Sequence, residues 1–136
     1  MSLPSLIRLV AAAALIPALA SADASLAALP KAVLDANVAG MPSAADQEIR
    51  VLTAEVGPGQ ITVHHTHRFP VTTYVLDGKM TFTFDGQQPV TVAAGQAFVE
   101  LPDVGVTGTN PSSTEIAHVV MFYVSDPAAP FLEVIN

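Results

Sequence analysis

The 136-residue sequence contains no cysteine and no tryptophan, and only 12% of its residues are charged. Without cysteine there is no disulfide framework, no thiolate metal site and no thiol nucleophile, so packing and backbone pairing must hold the fold. Basic residues are scarce: five Lys and Arg against twelve Asp and Glu give a formal charge of -7. An acidic surface without a basic cluster repels phosphate backbones, which argues against nucleic acid as a partner. Apolar residues make up 51% of the chain. No uninterrupted apolar run reaches the roughly 20 residues that a membrane-crossing helix needs. No glycine-rich loop precedes a helical pattern, since Gly57-Pro58-Gly59 leads into a strand-like run. No serine sits in a G-x-S-x-G elbow.

Part of the apolar excess is at the start. Arg8 is followed by an apolar run, Leu9 to Ala20, broken only by Pro17. Small residues then offer A-x-A sites at Ala18-Leu19-Ala20, Ala20-Ser21-Ala22 and Ala22-Asp23-Ala24. This pattern predicts a signal peptide over residues 1–22, cleaved near 20–24, and a secreted or periplasmic protein. There is no twin arginine and no cysteine to carry a lipid, so the mature chain is expected to be soluble with no membrane span. Residues 23–47, with Pro30, Gly40 and Pro42, form an N-terminal arm, either a short helix or an extended segment on the domain that follows.

From Glu48 to the end, residues 48–136 read as a single all-β domain. Strand-like runs cover Glu48–Val56, Gln60–His67, Val71–Leu76, Lys79–Phe84, Pro89–Ala93, Gln96–Leu101 and Glu115–Val124. Asp77-Gly78 and Asp85-Gly86 are hairpin signals, because such turns need positive φ at low steric cost. Between them Met80, Phe82 and Phe84 alternate with Lys79, Thr81 and Thr83, which sends one face to the core and the other to water.

Chemistry concentrates at His64, His65 and His67, three of the four histidines. Side chains alternate along a strand, so His65 and His67 share a face and His64 points away. Two imidazoles on one strand face can grip one divalent cation. The other open reading is a pair of partly exposed histidines bonded to water or backbone. His118 lies on the alternating face of Ile116, Val120 and Phe122. If that face turns inward, His118 becomes a third ligand or a hydrogen-bonded core histidine. Glu100, two residues before Pro102, falls either in the cavity or at its rim.

The spacing Gly59-x5-His65-x-His67-x3-Val71-x6-Gly78, with Tyr74-Val75-Leu76-Asp77-Gly78 closing it, resembles the first cupin motif. Gly95, Glu100, Pro102, Gly105 and Asn110-Pro111 resemble the second, with one extra residue. The resemblance spans about residues 48 to 125 and implies a double-stranded β-helix, a jelly-roll barrel of two antiparallel sheets. In metal-binding cupins a glutamate and a further histidine complete the site. Here the glutamate position is Val71, and the histidine position is Val106 counted back from Asn110, or Gly108 counted forward from Gly105. Losing two ligands is expected to weaken metal binding by roughly 10²–10⁴-fold. His65 and His67, with His118 as the candidate third ligand, are then expected to hold nickel, zinc, copper, manganese or iron only weakly.

Three functions follow from the resemblance. One is a metal-dependent oxygenase or isomerase. Another is a small-molecule-binding module with an incomplete metal site, and the last is a metal-free sugar epimerase or isomerase. No paired acid and base supports the last. The valines favour the binding module, since they make the cavity suit a small organic ligand. The resemblance also implies a homodimer joined through its sheets.

Overall fold

A computed structural model describes residues 28–136. The expected signal peptide and cleavage sites lie outside the described residues. The strands all fall within the unit Lys31–Asn136. They are β1 (Glu48–Val56), β2 (His65–Thr66), β3 (Val71–Asp77), β4 (Lys79–Phe84), β5 (Val90–Ala93), β6 (Ala97–Glu100), β7 (Val106–Thr109), β8 (Ala117–Ser125) and β9 (Glu133–Val134). They build two antiparallel sheets, in the orders β1-β8-β3-β6 and β5-β4-β7-β2-β9. This is the all-β architecture that the strand pattern predicts, with the two antiparallel sheets that the resemblance implies. Among the described residues there is no helix, and the arm over residues 31–47 has no regular secondary structure, with Pro42 buried and Ala44 N–H donating to Asp126.

Period-two alternation decides which side chains enter the interior. Met80, Phe82 and Phe84 of β4 are buried, as their spacing predicts. Each such side chain contributes about 1.5–3 kcal/mol by leaving water. Val56 of β1, Val75 of β3, Val92 of β5, Val106 of β7 and Ala117 and Val119 of β8 complete this core. A second cluster of Phe69, Val71, Tyr123 and Ala129, flanked by Leu52, Met121 and Phe131, also lies inside.

β1 and β4 have the bounds that the sequence predicts, while other elements differ for identifiable reasons. The Gln60–His67 run forms a ladder only at His65–Thr66, with an isolated bridge from Ile61 to Thr109. There Gly108 N–H donates to the Thr62 hydroxyl oxygen (2.9 Å), where a regular ladder would use a main-chain carbonyl. β7 was not expected, because Gly105 and Gly108 interrupt its pattern; yet Gly108 pairs with Phe82, and its missing side chain leaves room for that ring. Asp85-Gly86 does lie in the β4–β5 connection, with Gln87 N–H bonded to Phe84 C=O. Asp77-Gly78 is not a hairpin turn. It is the corner at which the chain leaves the four-stranded sheet for the five-stranded one, beyond a register shift between Val75 and Asp77.

Gly78 has a second reason to be glycine. Its φ is +73°, and a Cβ there would lie 3.0 Å from the Ile116 carbonyl oxygen and 3.1 Å from Ala117 Cα. Gly86 has a similar φ of +70° with nothing within 4 Å. Gly78→Ala should therefore cost about 1–3 kcal/mol of backbone strain plus a steric increment, and Gly86→Ala the strain alone. Urea denaturation of the two variants measures the difference; equal losses would show that the Ile116–Ala117 segment moves aside freely.

Candidate metal centre

His65 and His67 occupy the inward face of β2 and its extension, and both are buried, at 8% and 1% exposure. Their rings stand edge to face, 4.8 Å apart. The Nδ1–H of His65 donates to the Val63 carbonyl (2.7 Å), and that of His67 to the Phe131 carbonyl (2.6 Å). A carbonyl oxygen only accepts, so each contact requires the proton on Nδ1. In neutral imidazole this leaves both Nε2 lone pairs bare, which is how metal-ligating histidines are commonly fixed.

Glu100, the last residue of β6, resolves its two alternatives in favour of the interior, at 4% exposure. Thr73 Oγ1–H donates to its Oε1 (2.8 Å), and Oε2 lies 3.3 Å from His67 Nε2. One ligand atom from each of His65, His67 and Glu100 lies within 4.8 Å of the others. Donors about 2.0–2.2 Å from a transition metal stand roughly 3.0–3.5 Å apart at octahedral or tetrahedral angles. The His67–Glu100 pair already has this separation, and the remaining approach is on the order of 1 Å.

The positions vacated by ligands are explained by strand register. Val71 lies directly across β3–β6 from Glu100, and Val106 directly across β2–β7 from His65. Both valines are buried. The carboxylate missing at position 71 is therefore present on the neighbouring strand, while the position facing His65 remains apolar. The motif glutamate is absent at position 71, as the sequence reads, and of the two placements open to Glu100 the structure has the cavity one. Linear motif spacing carried no signal for it, because the compensation acts between strands.

His118 does not join the cluster. The β8 residues Ala117, Val119 and Tyr123 fill the interior, so alternation turns His118, Val120 and Phe122 outward. His118 instead lies on the surface, with Nε2 3.6 Å from Glu55 Oε1 and Nδ1 3.8 Å from Asp77 Oδ2. His64 also points away from the pair and contacts Asp85 (3.1 Å). The surroundings of the triad are largely aromatic and aliphatic: the Phe131 ring stands 4.9 Å from His67, and Tyr123 lies 6.3 Å away. Burial raises the Tyr123 phenol above its ordinary range, with the Arg50 charge acting the other way. The phenol stays a neutral donor to the Pro130 carbonyl (3.1 Å). A cleft of about 630 Å³ lies elsewhere, between arm residues such as Val33 and Val38 and the outward side chains Tyr74, Val99 and Phe122. It shares no residue with the triad.

With this geometry in view, comparison with known proteins gives a family. The family profile described as a cupin domain matches residues 52–123, more than half of the chain. The chain belongs to the cupin family. No curated protein matches it significantly. Among solved cupin-like folds, a double-stranded β-helix protein from Klebsiella pneumoniae is 19% identical, with a TM-score of 0.55 over 76% of this chain and 90% of that one. YhaK from Escherichia coli is 16% identical, with a TM-score of 0.54 over 66% of this cupin and only 43% of YhaK. The polyketide cyclase RemF from Streptomyces resistomycificus is 22% identical, with a TM-score of 0.52 over 68% of this chain and 63% of its own. At such identities these likenesses establish the double-stranded β-helix alone.

Thr73 is the sole side chain bonded to Glu100 Oε1 among the described contacts, and Thr73 is itself buried. Thr73→Val keeps the shape and removes the donor. The metal-free variant should lose about 1–3 kcal/mol in denaturant unfolding, the usual cost of an orphaned buried acceptor. A loss below about 0.5 kcal/mol would mean that this hydroxyl does not hold the carboxylate in place.

Proposed function

We propose that this cupin is a metal-binding domain in which His65, His67 and Glu100 hold one divalent transition ion and a small organic ligand binds beside it. The observation that carries the reading is the contact between His67 Nε2 and Glu100 Oε2, at 3.3 Å. Because Nδ1 is committed as a donor to Phe131, neutral His67 and ionised Glu100 would oppose two lone pairs inside the protein. A cation must lie between them, either a proton or a metal. Bare Nε2 on His65 as well as His67 favours the metal. Two imidazoles and one carboxylate suit iron, manganese, nickel or zinc. Three protein ligands leave positions for water or a ligand, the donor count of sites at which metals act on substrates.

When bound, such an ion supplies Lewis acidity and polarises an oxygen ligand. The protein's own residues orient the donors: Val63 and Phe131 fix the imidazoles, and Thr73 fixes the carboxylate. Val71, Val106 and Phe131 keep the surroundings apolar, which favours a small ligand with a hydrophobic body and one polar end. The same site serves a binding module or an oxygenase- or isomerase-type enzyme; the three-ligand count gives the enzymatic reading more support than two histidines alone do.

Elemental analysis of untagged protein after exposure to nickel, zinc, manganese or ferrous ion should find about one equivalent. His67→Ala and Glu100→Gln should each weaken binding by at least about 10–100-fold, whereas His118→Ala should leave it unchanged. Absence of binding and of any thermal shift with all four ions would end the metal reading.

Export rests on the leader pattern from Arg8 to Ala24 and is part of this proposal; the expected mature N-terminus, near residues 21–25, is checked by sequencing protein recovered from the cell exterior. Homodimer formation fits the four-stranded sheet, whose edge strand β1 carries outward Ile49 and Val51 beside Phe122. A long edge strand with exposed apolar side chains is a template for self-pairing. Sedimentation should give a dimer that Val51→Glu dissociates; a wild-type monomer at high concentration would contradict it.

A further inference from the structure

The segment after β8 is built into the candidate metal centre. From Asp126 the chain turns, with Ala129 N–H bonded to Asp126 C=O (3.2 Å) and Ala128 at a φ of +63°. The next residues run along the strand that carries both histidines. Pro130 C=O accepts from the Tyr123 hydroxyl, and Phe131 C=O from His67 Nδ1–H (2.6 Å). The Phe131 ring packs on His67 and, at 88°, on Tyr123. Glu133 and Val134 then pair with Thr66 and His65, and Ile135 N–H donates to His64 C=O (3.0 Å).

Beyond Ala129 and Phe131, which pack on the second core cluster, the end of this segment is weakly secured. β9 is two residues long, forms the sheet edge, and leaves Glu133 and Val134 exposed. Its start is clamped by surface groups: Arg50 donates to Ala129 C=O, and Ala128 N–H donates to Glu48. Short edge strands with few buried apolar side chains open at low free-energy cost. His67 and Glu100 are almost wholly enclosed, so an ion can reach them only when part of the wall moves.

We propose that residues 126–136 act as a metal-responsive strap: a divalent ion at His65, His67 and Glu100 tightens the docking of this segment, and the docked segment raises the affinity for the ion. The proposal rests on the metal-binding reading above. Its physical link is the His67 imidazole. A metal on Nε2 withdraws electron density and makes Nδ1–H a stronger donor to Phe131 C=O, and the docked carbonyl makes Nε2 a better ligand. Because the coupling is a binding free energy, it acts equally in both directions. His65 adds a second link, through its ladder pairing with Val134.

Hydrogen exchange of the full chain, with and without excess nickel chloride, tests this directly. Amides in residues 129–135 should exchange at least about 10-fold more slowly with nickel, while those of β4 and β5 at the far edge of the same sheet should change little. In parallel, deletion of residues 130–136 should weaken nickel binding by about 10–100-fold, and Tyr123→Phe, which removes the donor to Pro130, should weaken it by a few-fold. If the full chain binds one nickel and exchange in 129–135 is unchanged, the strap proposal is overturned and the metal site stands. If the full chain binds no nickel, the exchange comparison is made with whichever of zinc, manganese or ferrous ion it does bind; if it binds none of the four, both proposals fall. Should the deletion variant fail to fold, exchange in the intact chain decides alone.

Discussion

Two hydrogen bonds, from the Nδ1–H of His65 to Val63 and from that of His67 to Phe131, fix the chemistry of the interior. Each acceptor is a main-chain carbonyl, just before β2 or just before β9, whose position is set by the backbone and not by a rotamer. The tautomer and ring orientation of both imidazoles are thus properties of the backbone. Once they are fixed, His67 Nε2 lies against Glu100 Oε2, and the other carboxylate oxygen is held by Thr73. A buried polar cluster of this kind is costly when partly satisfied and stabilising when complete. In the proposed metal site, the ion is the charge that would complete this cluster.

The rest of the domain insulates that cluster. The core packed on Met80, Phe82 and Phe84 fills one part of the interior, and the cluster of Phe69, Val71 and Tyr123 another. Both are apolar. Electrostatic interactions gain strength in such surroundings, and an unpaired charge there becomes correspondingly costly. The valines at 71 and 106 serve this insulation as well as removing two ligand positions. An outer cleft of similar size to a ligand pocket exists beside Tyr74 and Phe122, but it offers no convergent set of ionisable groups. Chemistry and accessible volume are separated in this molecule.

Much of the fold was legible in the residues. Alternation through Met80, Phe82 and Phe84 marked β4, because a half-buried strand imposes period two on its own sequence, and the β-rich run Glu48–Val56 gave the bounds of β1. The pairing of His65 with His67 on one face followed from the same rule. What stayed hidden depended on contacts between distant segments. β7 carries a glycine, Gly108, that makes sense only beside Met80 and Phe82, and β9 exists only because β2 lies next to it. The direction of His118 needed the identity of the core-facing set on β8: Ala117, Val119 and Tyr123 are the better core residues, yet the outward set, with Val120 and Phe122, is as apolar in composition. Glu100 was visible as a candidate, but only pairing with β3 decides between cavity and rim.

That pairing also explains how a motif can lose a ligand in sequence and keep it in space. Residues directly opposite on antiparallel strands have Cβ atoms about 4.5–5.5 Å apart and point to the same face. A glutamate side chain spans a comparable distance, so a carboxylate at position 100 reaches toward the region that one at position 71 would occupy. Exchange between Val71 and Glu100 leaves one aliphatic and one acidic side chain on the same rung of the ladder, which preserves volume and charge locally. The corresponding rung at Val106 and His65 shows no such exchange: histidine stands on one strand and valine on the other. One rung carries a carboxylate on the partner strand while the other carries none, and the candidate set has three donors. In the proposed metal site, three donors in place of four would mean weaker retention and more open coordination positions, so the arrangement that lowers affinity would also make room for a ligand.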